Sequence, residues 1–200
     1  MKPLKIAIGV GGRFHADRMA SALLELGQEP HIYTSFPGSK FPNIPSQNIS
    51  STLYPEIFFR LFRTVGVEQT GSDLKMKQFG KAIAKKIAKD SYDIFLGWSS
   101  FSKEVLQKKI APRQIIMRDS SHISFQMDLL EEEYKSLGLK YSRDKAAEKR
   151  ELVEYQLADE VFVLSQFALR SFIDKGIPSK KTAPVKMRFV PKVGLEPTQP

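Results

Sequence analysis

The chain alternates short, β-rich apolar runs with helical patterns, and this alternation leaves it few architectures. Lys5-Ile-Ala-Ile-Gly-Val10 is apolar almost without interruption, as a strand buried on both faces must be. Gly11 and Gly12 follow it. Ala16, Met19, Ala20 and Leu23 then recur at helical spacing, and Gly27 is placed to end that helix. Residues 31–34 predict a second strand. Residues 36–54, rich in Pro, Ser and Asn, predict an irregular excursion with one short strand near Ile49. A helix is expected over 54–63, with Pro55 tolerated in its first turn. Ser72 and Asp73 are expected to cap the next helix, whose apolar face is Met76, Phe79, Ile83 and Ile87. Further strands are predicted at 93–97, 114–117, 160–164 and 186–190. They alternate with helices at 102–109, 124–137 and 142–158, and with one capped by Ser165 that closes at Gly176-Ile-Pro178. Strand–helix alternation of this kind predicts an α/β fold: a doubly wound, Rossmann-like parallel sheet with helices on both faces. No linker divides the chain, so residues 1–190 are expected to form a single domain and 191–200 a tail.

Composition narrows the function classes. The chain has 200 residues and no cysteine, which excludes a disulfide scaffold, a thiolate metal site and a cysteine nucleophile. With only His15, His31 and His122, no metal site is predicted. No apolar run reaches the roughly 20 residues of a spanning helix, and 6–10 is too short for a signal peptide. The expectation is a soluble, cytoplasmic protein. Its formal charge of +9 calls for an explanation.

In doubly wound sheets ligands bind beyond the carboxyl ends of the strands, so the segments just after each strand are the candidate site. The first is Gly9-Val-Gly-Gly-Arg-Phe-His15. Its glycines either let backbone approach a ligand at a helix N-terminus or simply make the tight turn. A dinucleotide fingerprint would need glycine where Phe14 stands and a carboxylate at the end of the second strand, which reads Tyr33-Thr34-Ser35. NAD binding is therefore disfavoured. No phosphate-loop lysine and no nucleophile elbow occur. The second segment is Arg118-Asp-Ser-Ser-His122, five polar side chains directly after an apolar strand. It is either a catalytic or binding cluster, with Arg118, Asp119 and His122 as the reactive groups beside Ser120 and Ser121, or a helix cap. Trp98, Ser99 and Ser165 emerge at the same edge, as do Gly11, Gly12, Arg13 and His15.

The charge concentrates on the helix after Ser72. Lys75, Lys77, Lys81, Lys85, Lys86 and Lys89 read as one basic face. Such a face is either solvated or docked on an anionic membrane surface. The preceding Phe58-Phe-Arg-Leu-Phe-Arg63 interleaves aromatics with Arg60 and Arg63, as an interfacial helix does. Peripheral attachment to the inner face of the plasma membrane is one expectation. Nucleic-acid binding is disfavoured, because no recognised motif accompanies the charge.

The stretch Leu157-Ala-Asp-Glu-Val-Phe-Val-Leu-Ser-Gln-Phe-Ala-Leu-Arg-Ser-Phe-Ile-Asp-Lys-Gly-Ile-Pro178 resembles the end of the N-terminal domain of family-four (group 1) glycosyltransferases of the GT-B fold. An Ala-Asp pair precedes an apolar strand, a Ser opens a helix and a Gly-x-Pro turn closes it. The opening Ile6-Ala-Ile-Gly-Val-Gly-Gly is similar to that family's start. The resemblance implies the acceptor-binding half of a retaining, metal-independent enzyme without cofactor. Such an enzyme transfers a sugar from a nucleotide-sugar to a glycan or glycolipid acceptor. It further implies that Gly11 and Gly12 form the glycine loop, that Trp98 stands where the family often has a histidine, and that Arg118 or Asp119 takes a second histidine's place, with His122 just downstream. The donor domain's two glutamates eight positions apart have no counterpart here, so the donor-binding domain is expected to be absent and 191–200 to be a truncated crossover. The isolated chain is then expected to be inactive. The alternatives are a stand-alone α/β ligand-binding module and a basic peripheral-membrane adaptor.

Overall fold

The computed structural model describes residues 2–64 and 68–184. Seven strands form one parallel sheet: β1 (Lys5–Val10), β2 (Glu29–Thr34), β3 (Ile49–Ser51), β4 (Ile94–Trp98), β5 (Arg113–Arg118), β6 (Glu160–Val163) and β7 (Thr182–Pro184). Their spatial order is β3-β2-β1-β4-β5-β6-β7. The chain steps outward from β1 to β3, then returns to β4 on the other side of β1. The point where the winding reverses therefore lies between β1 and β4, with Ile6 opposite Ile94 and Gly9 opposite Gly97.

The helices are α1 (Ala16–Glu25), α2 (Tyr54–Thr64), α3 (Glu68–Ile87), α4 (Lys103–Lys108), α5 (Ile123–Ser136), α6 (Lys145–Leu157) and α7 (Gln166–Asp174). One buried layer joins α3, α4, α6 and α7 to one sheet face through Phe79, Ile83, Phe95, Val105, Tyr155 and Phe172. A second packs α1 on the other face through Ile8, Ala16, Ala20, Ile32, Trp98 and Met117. The doubly wound sheet is thus as expected. The predicted stripe of Met76, Phe79, Ile83 and Ile87 is buried. Gly27, Gly138 and Gly176 follow α1, α5 and α7 with φ of 71°, 69° and 84°, the left-handed conformation glycine adopts at no steric cost.

Four expectations need correction. Helix α3 begins at Glu68, so Ser72 and Asp73 lie inside it rather than capping it. Helix α6 starts at Lys145, where the Asp144 carboxylate accepts the Ala147 N–H, not at Ser142. A strand forms at Thr182–Pro184, pairing with β6, where none was read. The strand predicted at 186–190 and the tail 191–200 lie outside the described residues. Finally, the lysine face of α3 is not uniform. Lys75 pairs with Glu56 at 2.5 Å. The Lys86 ammonium donates to the Ser51 carbonyl and the Thr52 hydroxyl, both at 2.8 Å. Lys77, Lys81, Lys85 and Lys89 face solvent.

Candidate functional site

The carboxyl ends of β1 and β4 carry two loops that meet at the winding reversal. After β1, the Ser35 hydroxyl donates to the Gly11 carbonyl at 2.6 Å and the Thr34 hydroxyl to the Gly12 carbonyl at 2.8 Å. Both hydroxyls come from the end of β2, where a dinucleotide fold would carry its ribose-binding carboxylate. Here those positions hold the glycine loop down instead. A Cβ on Gly11 would overlap the Phe101 ring, so this glycine is required by close approach of the two loops. Arg13 lies half exposed and pairs with Asp17 at 2.7 Å. Phe14 takes φ 41°, turning its ring outward to 53% exposure. His15 stands at the N-cap position of α1.

Across the reversal, Trp98 closes β4. Its ring lies nearly parallel to that of Phe14, with centroids 6.5 Å apart. Its indole N–H donates to Asp119 Oδ2 at 2.9 Å. The other carboxylate oxygen, Asp119 Oδ1, is buried and has no hydrogen-bond partner among the described residues. A buried carboxylate oxygen left unpaired is costly, and a donor from a ligand would satisfy it.

The remaining members of the polar cluster are turned inward. Arg118 donates to the Ser121 carbonyl at 3.1 Å, to Gln126 Oε1 at 2.8 Å and to Glu151 Oε1 at 3.1 Å, with a longer contact to Ser99 Oγ at 3.4 Å. Its guanidinium serves as a cross-brace between the end of β5 and two helices. Ser120 also reaches Gln126. Ser121 is buried. His122 is the N-cap of α5: its Nδ1 accepts the Ser124 N–H, and its ring packs against Tyr155 and Phe172 with centroids 5.2 and 5.0 Å away. Burial, with help from Lys175 and Arg118, pushes its pKa down to about 4, so the imidazole is neutral near pH 7. The placement is that of a cap and a packing residue, 2% exposed, rather than of a proton-transfer group facing a ligand. Ser165 likewise caps, accepting the Ala168 N–H at 3.0 Å.

Beneath this edge lies a charged network that the sequence reading missed. The buried Glu154 carboxylate accepts the backbone N–H groups of Ser100, Ser102 and Lys103 at 2.7, 2.8 and 2.9 Å. Burial pushes its pKa up to about 7, against the opposing pull of Arg150 and these donors. Arg150 in turn holds the Ser100 carbonyl and the Glu104 carboxylate. Glu151 accepts from the Ser100 and Tyr155 hydroxyls and from Arg118. Together they pin the loop after β4, with Ser100 at φ 70°. The available signal was the i, i+1, i+4, i+5 spacing of Arg150, Glu151, Glu154 and Tyr155, which is one helical face. Gly80 in mid-helix α3 belongs to the same assembly, since a Cβ there would overlap the Glu104 carboxylate.

Among the described residues, no three His, Asp or Glu side chains are placed to hold a metal ion, and no helix is long and apolar enough to cross a membrane. No family model matches the chain, and no curated protein matches it in sequence. Solved structures do match in fold. The calicheamicin glycosyltransferase CalG4 aligns at TM-score 0.57 and 13% identity, over 92% of this chain and 52% of that one. The UDP-GlcNAc 2-epimerase of Methanocaldococcus jannaschii aligns at 0.53 and 14%, over 91% and 45%. The UDP-N-acetylglucosamine 2-epimerase of Rickettsia bellii aligns at 0.50 and 14%, over 90% and 44%. The chain thus spans about half the length of the solved structures it matches. The fold is a Rossmann-like α/β domain that matches the halves of GT-B enzymes.

Proposed function

We propose that this chain is the acceptor-binding half of a retaining, metal-independent GT-B glycosyltransferase of the family-four type. The enzyme would pass a sugar from a nucleotide-sugar to a glycan or glycolipid, with the donor held mainly by a partner domain. The observation that carries this reading is the unpaired Oδ1 of Asp119, whose other oxygen holds the Trp98 indole, the ring that stacks with Phe14. A sugar offers apolar C–H faces and hydroxyl donors. The exposed Phe14 ring suits the former, and a fixed carboxylate acceptor the latter. Asp119 would accept a hydrogen bond from an acceptor hydroxyl and orient it. Arg118 and His122 serve as positioning residues for the segment that carries Asp119.

Trp98 is the chain's one tryptophan and touches the site, so its fluorescence reports directly on occupancy. Titration with short-chain alkyl glycosides is expected to shift its emission saturably, and Asp119→Asn to weaken that binding roughly tenfold. UDP-glucose alone is expected to leave the emission unchanged. Saturable binding of UDP-glucose with no response to any glycoside would favour a stand-alone nucleotide-binding module. Sugar transfer catalysed by this chain without a second polypeptide would overturn the half-enzyme reading.

A further inference from the structure

Helix α2 carries its apolar stripe on the wrong side for a packed surface helix. Tyr54, Ile57, Phe58 and Leu61 follow i, i+3, i+4, i+7 and so share one face. That face points to solvent, with exposures of 42%, 57%, 53% and 57%, and Leu53 extends it at 41%. The helix is held by its other side. Pro55 is buried there, Phe59 and Phe62 are partly covered, and Glu56 pairs with Lys75 of α3, whose ammonium also sits 4.8 Å over the Phe59 ring.

The charge around the stripe is of one sign. Arg60, its side chain 69% exposed, and Arg63 flank it. Glu56, the helix's one carboxylate, is withdrawn into its pairs with Lys75 and Arg60, and those pairs lower its pKa. Lys40 lines the groove shared by Leu53, Ile57 and Arg60. Lys77, Lys81 and Lys85 stand on the solvent side of the neighbouring α3. An apolar stripe rimmed by cations, with no exposed carboxylate on the helix, matches the headgroup–acyl boundary of an anionic bilayer. A second copy of the chain fits less well, since a two-fold contact over this stripe would set Arg60 and Arg63 against themselves.

We propose that the outer face of α2 inserts into an anionic lipid surface, and that α3 contributes only long-range attraction. This narrows the membrane contact expected over both helices to the outer face of α2. The groove of Ser35, Phe36, Pro37 and Lys40 joins α2 to the end of β2, so the docked face adjoins the carboxyl edge of the sheet. The inference stands whether or not that edge binds a sugar.

The test is sedimentation with phosphatidylcholine vesicles, with and without about a third phosphatidylglycerol. The chain is expected to bind the anionic vesicles at least roughly tenfold more tightly. Ile57→Ser with Leu61→Ser should lower that binding by a further factor of roughly ten or more while the melting temperature moves by no more than about 4 °C. Arg60→Ser with Arg63→Ser should remove most of the preference for anionic lipid. A triple Lys77, Lys81, Lys85→Ser variant should bind within about fivefold of the parent and lose mainly salt sensitivity. Three results would each overturn the proposal: equal binding to both vesicle types, full binding by the α2 double variant, or a concentration-dependent dimer that the double variant abolishes while lipid binding is nil.

Discussion

Helices α6 and α2 both break the rule that apolar residues go inside, in opposite directions. Helix α6 buries Arg150, Glu151 and Glu154 to 5% exposure or less. Helix α2 exposes Tyr54, Ile57, Phe58 and Leu61. What separates them is whether each misplaced group has partners. Every buried charge of α6 meets an opposite charge or several backbone donors and acceptors. The stripe of α2 touches α3 at one end, where the Tyr54 hydroxyl donates to the Gln78 carbonyl, but Ile57, Phe58 and Leu61 stay more than half exposed. A satisfied inversion is part of the architecture. An unsatisfied one is a surface made for something else.

The comparison is sharpest under mutation of α6. Glu154→Ala removes the acceptor of three backbone N–H groups and leaves Arg150 buried without one of its carboxylates. The expected cost is about 3–5 kcal/mol, the range for breaking a buried charge network, read by chemical denaturation. A loss below about 1 kcal/mol would mean that α6 is no more structural than α2. The loop after β4 should loosen as well, with faster amide exchange at Ser100, Ser102 and Lys103.

His122 packs on Tyr155 of α6 and gives a second, pH-dependent reading of the same core. Its pKa falls from 6.5 to about 4 on folding. A depressed folded pKa means that the unfolded chain takes up the proton first. The stability this group contributes is therefore complete above pH 6.5 and is lost as pH falls toward about 4. His122→Asn keeps a side-chain acceptor for the Ser124 N–H but does not titrate. The variant is expected to be less stable than the parent at neutral pH, by on the order of 2 kcal/mol, and the deficit should shrink on acidification. Melting temperatures across that window check it. A deficit that stays constant with pH would place the charged imidazole in the folded state.

Gly11→Ala probes the edge above α6. The added methyl meets the Phe101 ring, which would have to move from between the two loops. An expected loss of about 1–3 kcal/mol follows, the range for overpacking. The tryptophan emission should shift with it, because Phe101 lies in the loop that leaves β4 at Trp98.

Most of the fold was legible because its cues are local. The run Lys5–Val10 is a strand as written, the Met76-to-Ile87 stripe is buried, and the glycines after α1, α5 and α7 close those helices. The positions of the site segments were legible too, since they follow from strand ends. Their roles were not. Arg118 and His122 are polar residues at a strand end in either case, and only α6 and α7, arriving from later in the chain, turn one into a brace and bury the ring of the other. The face of α6 was hidden because the residues that mark a buried face elsewhere are apolar, and here they are charged. Periodicity also says which residues of α2 share a side without saying where that side points. The deciding contact is Lys75 with Glu56, between two helices whose packing no local pattern encodes.

The smallest expected effect is the one that tests α2. In a packed helix, replacing Ile and Leu on the apolar stripe by Ser removes buried area and costs several kcal/mol. In α2 more than half of each side chain is already in water, so folding gains less from them. Ile57→Ser with Leu61→Ser is expected to change the unfolding free energy by no more than about 1 kcal/mol, about 0.5 kcal/mol for each surface substitution. Serine's lower helix propensity accounts for most of that. The same pair of changes at Phe79 and Ile83, on the buried side of α3, should abolish cooperative unfolding. If instead the α2 pair costs several kcal/mol, the stripe is covered in the folded protein in solution, and the contrast with α6 becomes one between two buried faces. Near-zero cost keeps the stripe as surface, stable to change and retained for contact with something outside the chain.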